Sequence, residues 1–113
     1  MARARGLIRT TGSNIPDESL RCYARLFSDR GHVDSTLQMM AQWDVDKFAA
    51  RIKRVETPIP LIAGPNDLTV SPDVSRRTAE AMINATFVEL EGLGHLAHEQ
   101  DPDLLAQPIL AWR

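Results

Sequence analysis

A single cysteine, Cys22, among 113 residues leaves no partner for an internal disulfide, and nothing favours an oxidising compartment, so a cytoplasmic location is the default reading. Long apolar runs are missing as well. No stretch approaches the roughly 18 residues that span a bilayer; the longest candidates are cut by Pro58, Pro60 and Gly64, which argues against an integral membrane protein. Neither sign of charge is in excess: 13 basic residues face 15 acidic ones, for a net charge of −2. That balance gives no footprint for nucleic acid or for an anionic membrane. There is no metal-spaced Cys or His cluster, no internal repeat and no low-complexity segment, so neither a metal nor a cofactor is expected. What is present is an ordinary globular composition, 43% hydrophobic and 25% charged, enough for one modest domain. The cluster Met1-Ala2-Arg3-Ala4-Arg5 with Arg9 reads as a solvated terminus, because no apolar core of a signal peptide follows it.

Periodicity divides the chain at Glu56-Thr57-Pro58. After a turn-like Thr10 to Pro16, the residues Leu20, Tyr23, Ala24 and Phe27 recur at i, i+3, i+4 and i+7, the stripe of an amphipathic helix starting near Asp17 and ended by Asp29-Arg30-Gly31. Val33, Leu37, Met40 and Ala41 mark a second helix running to about Trp43. Asp44 and Asp46 supply capping carboxylates for a third, on which Phe48, Ile52 and Val55 share a face. Helices this short must pack on something. Beyond the break, Ile59 to Gly64 reads as a strand buried on both faces, and Ser71-Pro72-Asp73 as a helix start with a hydroxyl N-cap. Ala79, Met82 and Ile83 give that helix its buried stripe, and Asn84-Ala85 closes it. Phe87 to Leu90 is a second strand with a flexible Glu91-Gly92-Leu93-Gly94 turn at its end. A helix capped at Asp101-Pro102-Asp103 follows, with Leu105, Ile109 and Trp112 on one face. The order is βαβα, implying an α/β fold with a parallel sheet. Two parallel strands cannot cover both of their own faces, so the segment reads as the end of a larger fold.

Loops leaving the C-terminal ends of strands are where open α/β sheets build their sites. The first such loop carries Asp67 and the second carries His95, separated by one helix. Adjacent strands would bring them face to face as the orienting half of a Ser-His-Asp arrangement, the carboxylate fixing the imidazole tautomer. Taken singly, an Asp after a strand is a common cap, and a loop His is more often a surface residue. The chain order of acid, then histidine, agrees with the α/β-hydrolase order of nucleophile, acid, base.

On these residues the stretch from Pro58 to Trp112 resembles the last third of the α/β-hydrolase family. Gly64-Pro65-Asn66-Asp67 stands in the place of its G-x-x-D acid motif and Gly94-His95 in the place of its catalytic histidine. A narrower similarity lies in Leu7-Ile8-Arg9-Thr10-Thr11-Gly12-Ser13, His32-Val33-Asp34, Met39-Met40-Ala41-Gln42-Trp43-Asp44 and Gly92 to Glu99. These resemble the magnesium-chelatase accessory hydrolases of bacteriochlorophyll synthesis. The resemblance runs from about Leu7 onward. It implies that residues 1–56 are a helical cap over the active site and that residues 57–113 are the C-terminal βαβα part of the hydrolase core. It further implies a serine-type hydrolase of ester, amide or similar bonds, with Asp67 and His95 catalytic and a small-molecule substrate, a porphyrin being one candidate. The alternative it offers is a non-catalytic accessory protein assisting magnesium chelatase.

No G-x-S-x-G occurs in this sequence, and in the family the nucleophile elbow and oxyanion loop would precede Met1. The chain is therefore expected to be a fragment, inactive alone and prone to self-association through exposed sheet edges. Ser71 reads as an N-cap and Ser75 as a helix-interior residue, so neither is taken as a substitute nucleophile. Three prolines depart from the family pattern. Pro65 stiffens the acid loop and is expected to shift Asp67, Pro60 removes a ladder donor inside a strand, and Pro108 should kink the last helix. His98 and Glu99 read equally as loop-shaping residues or as a surface pair, and His32 as a helix-start residue. Met39, Met40, Trp43 and Phe48 fit plain packing better than a pocket for a large flat ligand.

Overall fold

The computed structural model describes residues 1–112. Its elements are α1 (Ala2–Arg9), α2 (Asp17–Ser28), α3 (Arg30–Ala41), α4 (Val45–Ile52), β1 (Ile59–Ala63), α5 (Pro72–Ala81), β2 (Ala85–Glu89), α6 (Ala97–Gln100) and α7 (Pro102–Ala111). The basic terminus is thus not a loose solvated tail. It is an amphipathic helix that turns Ala4 and Ile8 inward against Ile15 and Leu20, while Arg5 pairs with Asp17 at 2.7 Å. Leu20, 1% exposed, is the deepest side chain of this cluster, and Tyr23, Ala24 and Leu96 pack around it.

The helix boundaries follow capping chemistry. Asp29 does not so much end α2 as start α3, its carboxylate accepting the His32 N–H at 2.9 Å, so Arg30 and Gly31 are helical and His32 is a first-turn residue. Asp44 caps α4 through the Lys47 N–H at 3.0 Å, and Asp101 caps α7 through the Leu104 N–H at 2.9 Å. Ser71 makes no such bond, and α5 starts instead on Pro72, whose missing N–H costs nothing at the first helical position. Val55 falls beyond α4. Pro108 lies inside α7, which runs on past it to Ala111.

β1 and β2 pair in parallel, Ile59 opposite Ala85 through Ala63 opposite Glu89. The Ile59 N–H donates to Asn84 at 2.9 Å. Because alternate residues of a parallel strand face the same neighbour, the nitrogen of Pro60 points away from β2, and the proline removes no bond between the two strands. The helix α5 crosses between them and lies on both. Arg76 fastens it there, stacking on the Phe87 ring at 4.6 Å and pairing with Glu89 at 3.3 Å.

Burial is thinner than the sequence suggests. All five residues of β1 are half-buried, not fully enclosed, because α5 covers only one side of a two-stranded sheet. Ile83 is 66% exposed and Ile109 is 52% exposed, so the stripes of α5 and α7 are narrower than expected. Met39, Met40, Trp43 and Phe48, expected to pack, are 46% to 63% exposed, since nothing among the described residues covers the outer faces of α3 and α4. The radius of gyration, 15.9 Å, exceeds the ~13 Å of a compact chain of this length. Among the described residues no helix is long and apolar enough to cross a membrane.

Candidate active site

The parallel register puts the C-terminal ends of β1 and β2 side by side, and with them the two loops that carry Asp67 and His95. The acid loop is a tight turn closed by the Asp67 N–H donating to the Gly64 carbonyl at 3.1 Å. Pro65 holds the second position of that turn, where its fixed φ is favourable. The proline therefore suits the loop, and Asp67 stands within reach of His95. Asp67 then turns its carboxylate back on its own chain, Oδ1 accepting the N–H groups of Thr69 and Val70 at 2.8 Å each.

Its other oxygen, Oδ2, lies 2.9 Å from Nδ1 of His95. Burial of Asp67 opposes its ionisation, but the Val70 N–H, the His95 ring and the Thr69 N–H together outweigh that, and the carboxyl is held below its ordinary value. An ionised carboxylate can only accept, so Nδ1 is the donor in this contact; in the neutral imidazole that tautomer leaves the lone pair on Nε2. The Asp67 side chain is 12% exposed and that of His95 is 37% exposed, a sheltered carboxylate behind a more open imidazole. Both line a cavity of about 280 Å³ with Ile62, Gly64, Val70, Ser75, Gly94 and Ala97. Ser75 reaches the cavity wall, yet no hydrogen bond joins it to His95 among the described residues. A groove of about 290 Å³ between α4 and α5 is lined by Ala49, Ile52, Val74, the cations Lys53 and Arg77, and Thr78, whose hydroxyl donates to the Val74 carbonyl at 2.7 Å; no carboxylate or imidazole lines it. The cavity beside His95 is therefore the better placed for chemistry. Among the described residues no three His, Cys, Asp or Glu side chains converge as a metal site would require.

Several supporting residues escaped the reading of the sequence. The Thr11 carbonyl accepts the backbone N–H of Leu68 at 3.2 Å and of His95 at 3.3 Å, and Ser13 Oγ accepts the Leu96 N–H at 2.8 Å. Gln100 clamps the histidine loop from the other side, accepting from the Gly94 N–H at 3.2 Å and donating to the Gly92 carbonyl at 2.9 Å. Glu99 does not form a surface pair with His98. It reaches α2, accepting from Ser19 Oγ at 2.6 Å and from the Tyr23 hydroxyl at 3.5 Å. The available signal was glycine: Gly12, Gly64 and Gly94 each sit where a Cβ would strike another backbone.

No family model matches the sequence. Individual relatives do. Over 106 residues, 94% of this chain and 37% of the relative, it is 38% identical to the magnesium-chelatase 30 kDa subunit of Rhodobacter capsulatus. It is 33% identical to the putative carbamate hydrolase RutD of Pseudomonas syringae over 84% of this chain and 35% of the relative. The uncharacterized hydrolase YugF of Bacillus subtilis is 26% identical over 86% of this chain and 36% of its own length. The chain is thus homologous to the magnesium-chelatase 30 kDa subunit and to these hydrolases, as an α/β-hydrolase-like chain spanning little more than a third of their length.

Proposed function

We propose that this chain carries the acid and base of a serine-type hydrolase, His95 acting as general base through Nε2 and Asp67 as the carboxylate that orients it. The observation that carries the reading is the 2.9 Å contact between Asp67 Oδ2 and His95 Nδ1 at the ends of paired parallel strands. On this reading residues 57–113 correspond to the C-terminal part of an α/β-hydrolase core and residues 1–56 to a helical cap. The sequence has no G-x-S-x-G and the chain spans 37% of the Rhodobacter relative, so this reading places the serine and the oxyanion donors outside these 113 residues, which alone are inactive and self-associate through the uncovered sheet. The substrate is a small molecule with an ester, amide or similar bond, and the protein works in the cytoplasm.

The test joins this chain to the portion of the Rhodobacter relative that it does not match and assays an activated ester. Turnover should appear, and His95→Ala or Asp67→Asn should lower it by about 10³- to 10⁴-fold. A serine-directed fluorophosphonate should label the joined protein and leave the 113-residue chain unlabelled. Labelling of the short chain, or full turnover in the His95 variant, would sink the proposal.

The match to a magnesium-chelatase subunit supports a second reading, a non-catalytic accessory that assists the chelatase and contacts it or its porphyrin substrate. Chelatase stimulation that survives His95→Ala would favour that role over hydrolysis.

A further inference from the structure

The His95 ring meets Asp67 from a side chain that is 37% exposed, and the loop that carries it spans only the few residues between β2 and α6. The placement of the imidazole therefore depends on what holds the loop backbone. Two successive peptide N–H groups of that loop end on one three-residue turn. His95 donates to the Thr11 carbonyl at 3.3 Å and Leu96 to Ser13 Oγ at 2.8 Å. The acid loop ends on the same turn, through Leu68 and the Thr11 carbonyl at 3.2 Å.

Between these bonds the turn is wedged without slack. A Cβ on Gly12, whose φ is +77°, would lie 1.7 Å from the Asn66 carbonyl oxygen, and one on Gly94 would lie 2.3 Å from the Gly12 oxygen and 2.7 Å from Ser13 Oγ. The contacts fall on the residues that flank the pair, Asn66 and Leu68 around Asp67, Gly94 and Leu96 around His95. We infer that the turn Thr11-Gly12-Ser13 is the positioning element of the Asp67 and His95 pair, and that Ser13 is the side chain through which it acts on His95. Ser13 is 3% exposed, so water cannot readily replace its oxygen on the Leu96 N–H. A displacement of several tenths of an ångström at His95 is enough to weaken a 2.9 Å contact. The inference rests on the acid–base reading of the pair given above.

Nitrogen-resolved NMR of the 113-residue chain tests it without any assay of turnover. The unsubstituted chain should show a downfield Nδ1 proton and the nitrogen pattern of a single imidazole tautomer, assigned to His95 by their loss in His95→Gln, together with a protected Leu96 amide. Ser13→Ala should abolish the downfield proton, shift the nitrogens toward an average of the two tautomers and expose the Leu96 amide, with the remaining amide spectrum folded. Thr10→Ala is the control, because it removes a hydroxyl bond to the Leu7 carbonyl on the same segment and touches neither loop; it should leave all three signals in place.

An unchanged His95 signal in Ser13→Ala overturns the inference, as does equal loss of that signal in Thr10→Ala. Unfolding of Ser13→Ala also overturns it, since the serine would then hold the fold and not the pair. A parent chain that protects the Leu96 amide but lacks the downfield proton refutes the acid–base reading while leaving the brace intact.

Discussion

Gly64 and Leu93 approach so closely that a Cβ on the glycine would lie 2.0 Å from the leucine carbonyl oxygen, which also accepts the Asn66 N–H at 3.0 Å. This crossing of two backbones joins the loop of the acid to the loop of the histidine. Any side chain at position 64 must push them apart. Gly64→Ala should therefore destabilise the fold by about 1–3 kcal/mol, read as a lower urea midpoint at unchanged slope. It should also abolish the Asp67 contact with His95; a variant as stable as the parent would show that the loops have room to separate.

Asp67 contributes to the pH dependence of stability, alongside the more exposed Asp17 and Asp44, whose carboxyls Arg5 and Lys47 also hold down. Burial disfavours its charge, but hydrogen bonds from Val70, His95 and Thr69 prevail, so its pKa in the fold lies below that of the unfolded chain. A group shifted down stabilises the fold above its unfolded pKa, near 4 as an approximate ordinary value, and that contribution is lost as the pH falls through the folded value. The urea midpoint should drop on acidification across this window, and Asp67→Asn should flatten the drop. Equal slopes in parent and variant would remove Asp67 as its source.

Tyr23 shifts the other way. Partial burial and the neighbouring Glu99 carboxylate, which its hydroxyl meets at 3.5 Å, hold the phenol neutral and raise its pKa. Its contribution to stability is present below the ordinary phenol value of about 10 and is lost as the pH rises through the folded one. The chain has one tyrosine, so phenolate absorbance follows this group alone. The midpoint should lie above the ordinary value and move down in Glu99→Gln; a midpoint indifferent to that change would show that α6 does not meet α2 in solution.

Pro108 should be a removable cost. It leaves the Leu104 carbonyl without its helical donor, and its ring is only half-buried. Pro108→Ala should stabilise the chain by about 1 to 3 kcal/mol, seen as a higher thermal midpoint. A lower midpoint would mean that the ring's packing outweighs the missing bond.

Much of this was written locally. The Asp44 and Asp101 carboxylates stand where helix starts need acceptors, and Pro72 stands where a missing donor is harmless, so α4, α5 and α7 could be located from short-range chemistry, whereas Asp29, read as the end of α2, turned out to cap α3. The Ser71 cap failed because a serine before a helix can cap it only if its hydroxyl turns inward, which the sequence cannot specify. The helix α1 was missed because its alternating arginines hide a stripe that only Ala4 and Ile8 reveal, once Ile15 and Leu20 stand opposite them. The exposure of Met39, Met40, Trp43 and Phe48 was not legible either, because periodicity says which residues share a face and not what lies against it.

For the site, the sequence by itself determined that an acid and a histidine close successive strand-like segments, since residue type and strand period are local properties. Only the tertiary structure decided their distance and what fixes it. The parallel register sets the two loops side by side, and a turn more than 50 residues before Asp67 fills the space between them. Bonds such as Leu96 to Ser13, across 83 positions, depend on how distant backbones pack, and no pattern within a single segment encodes that.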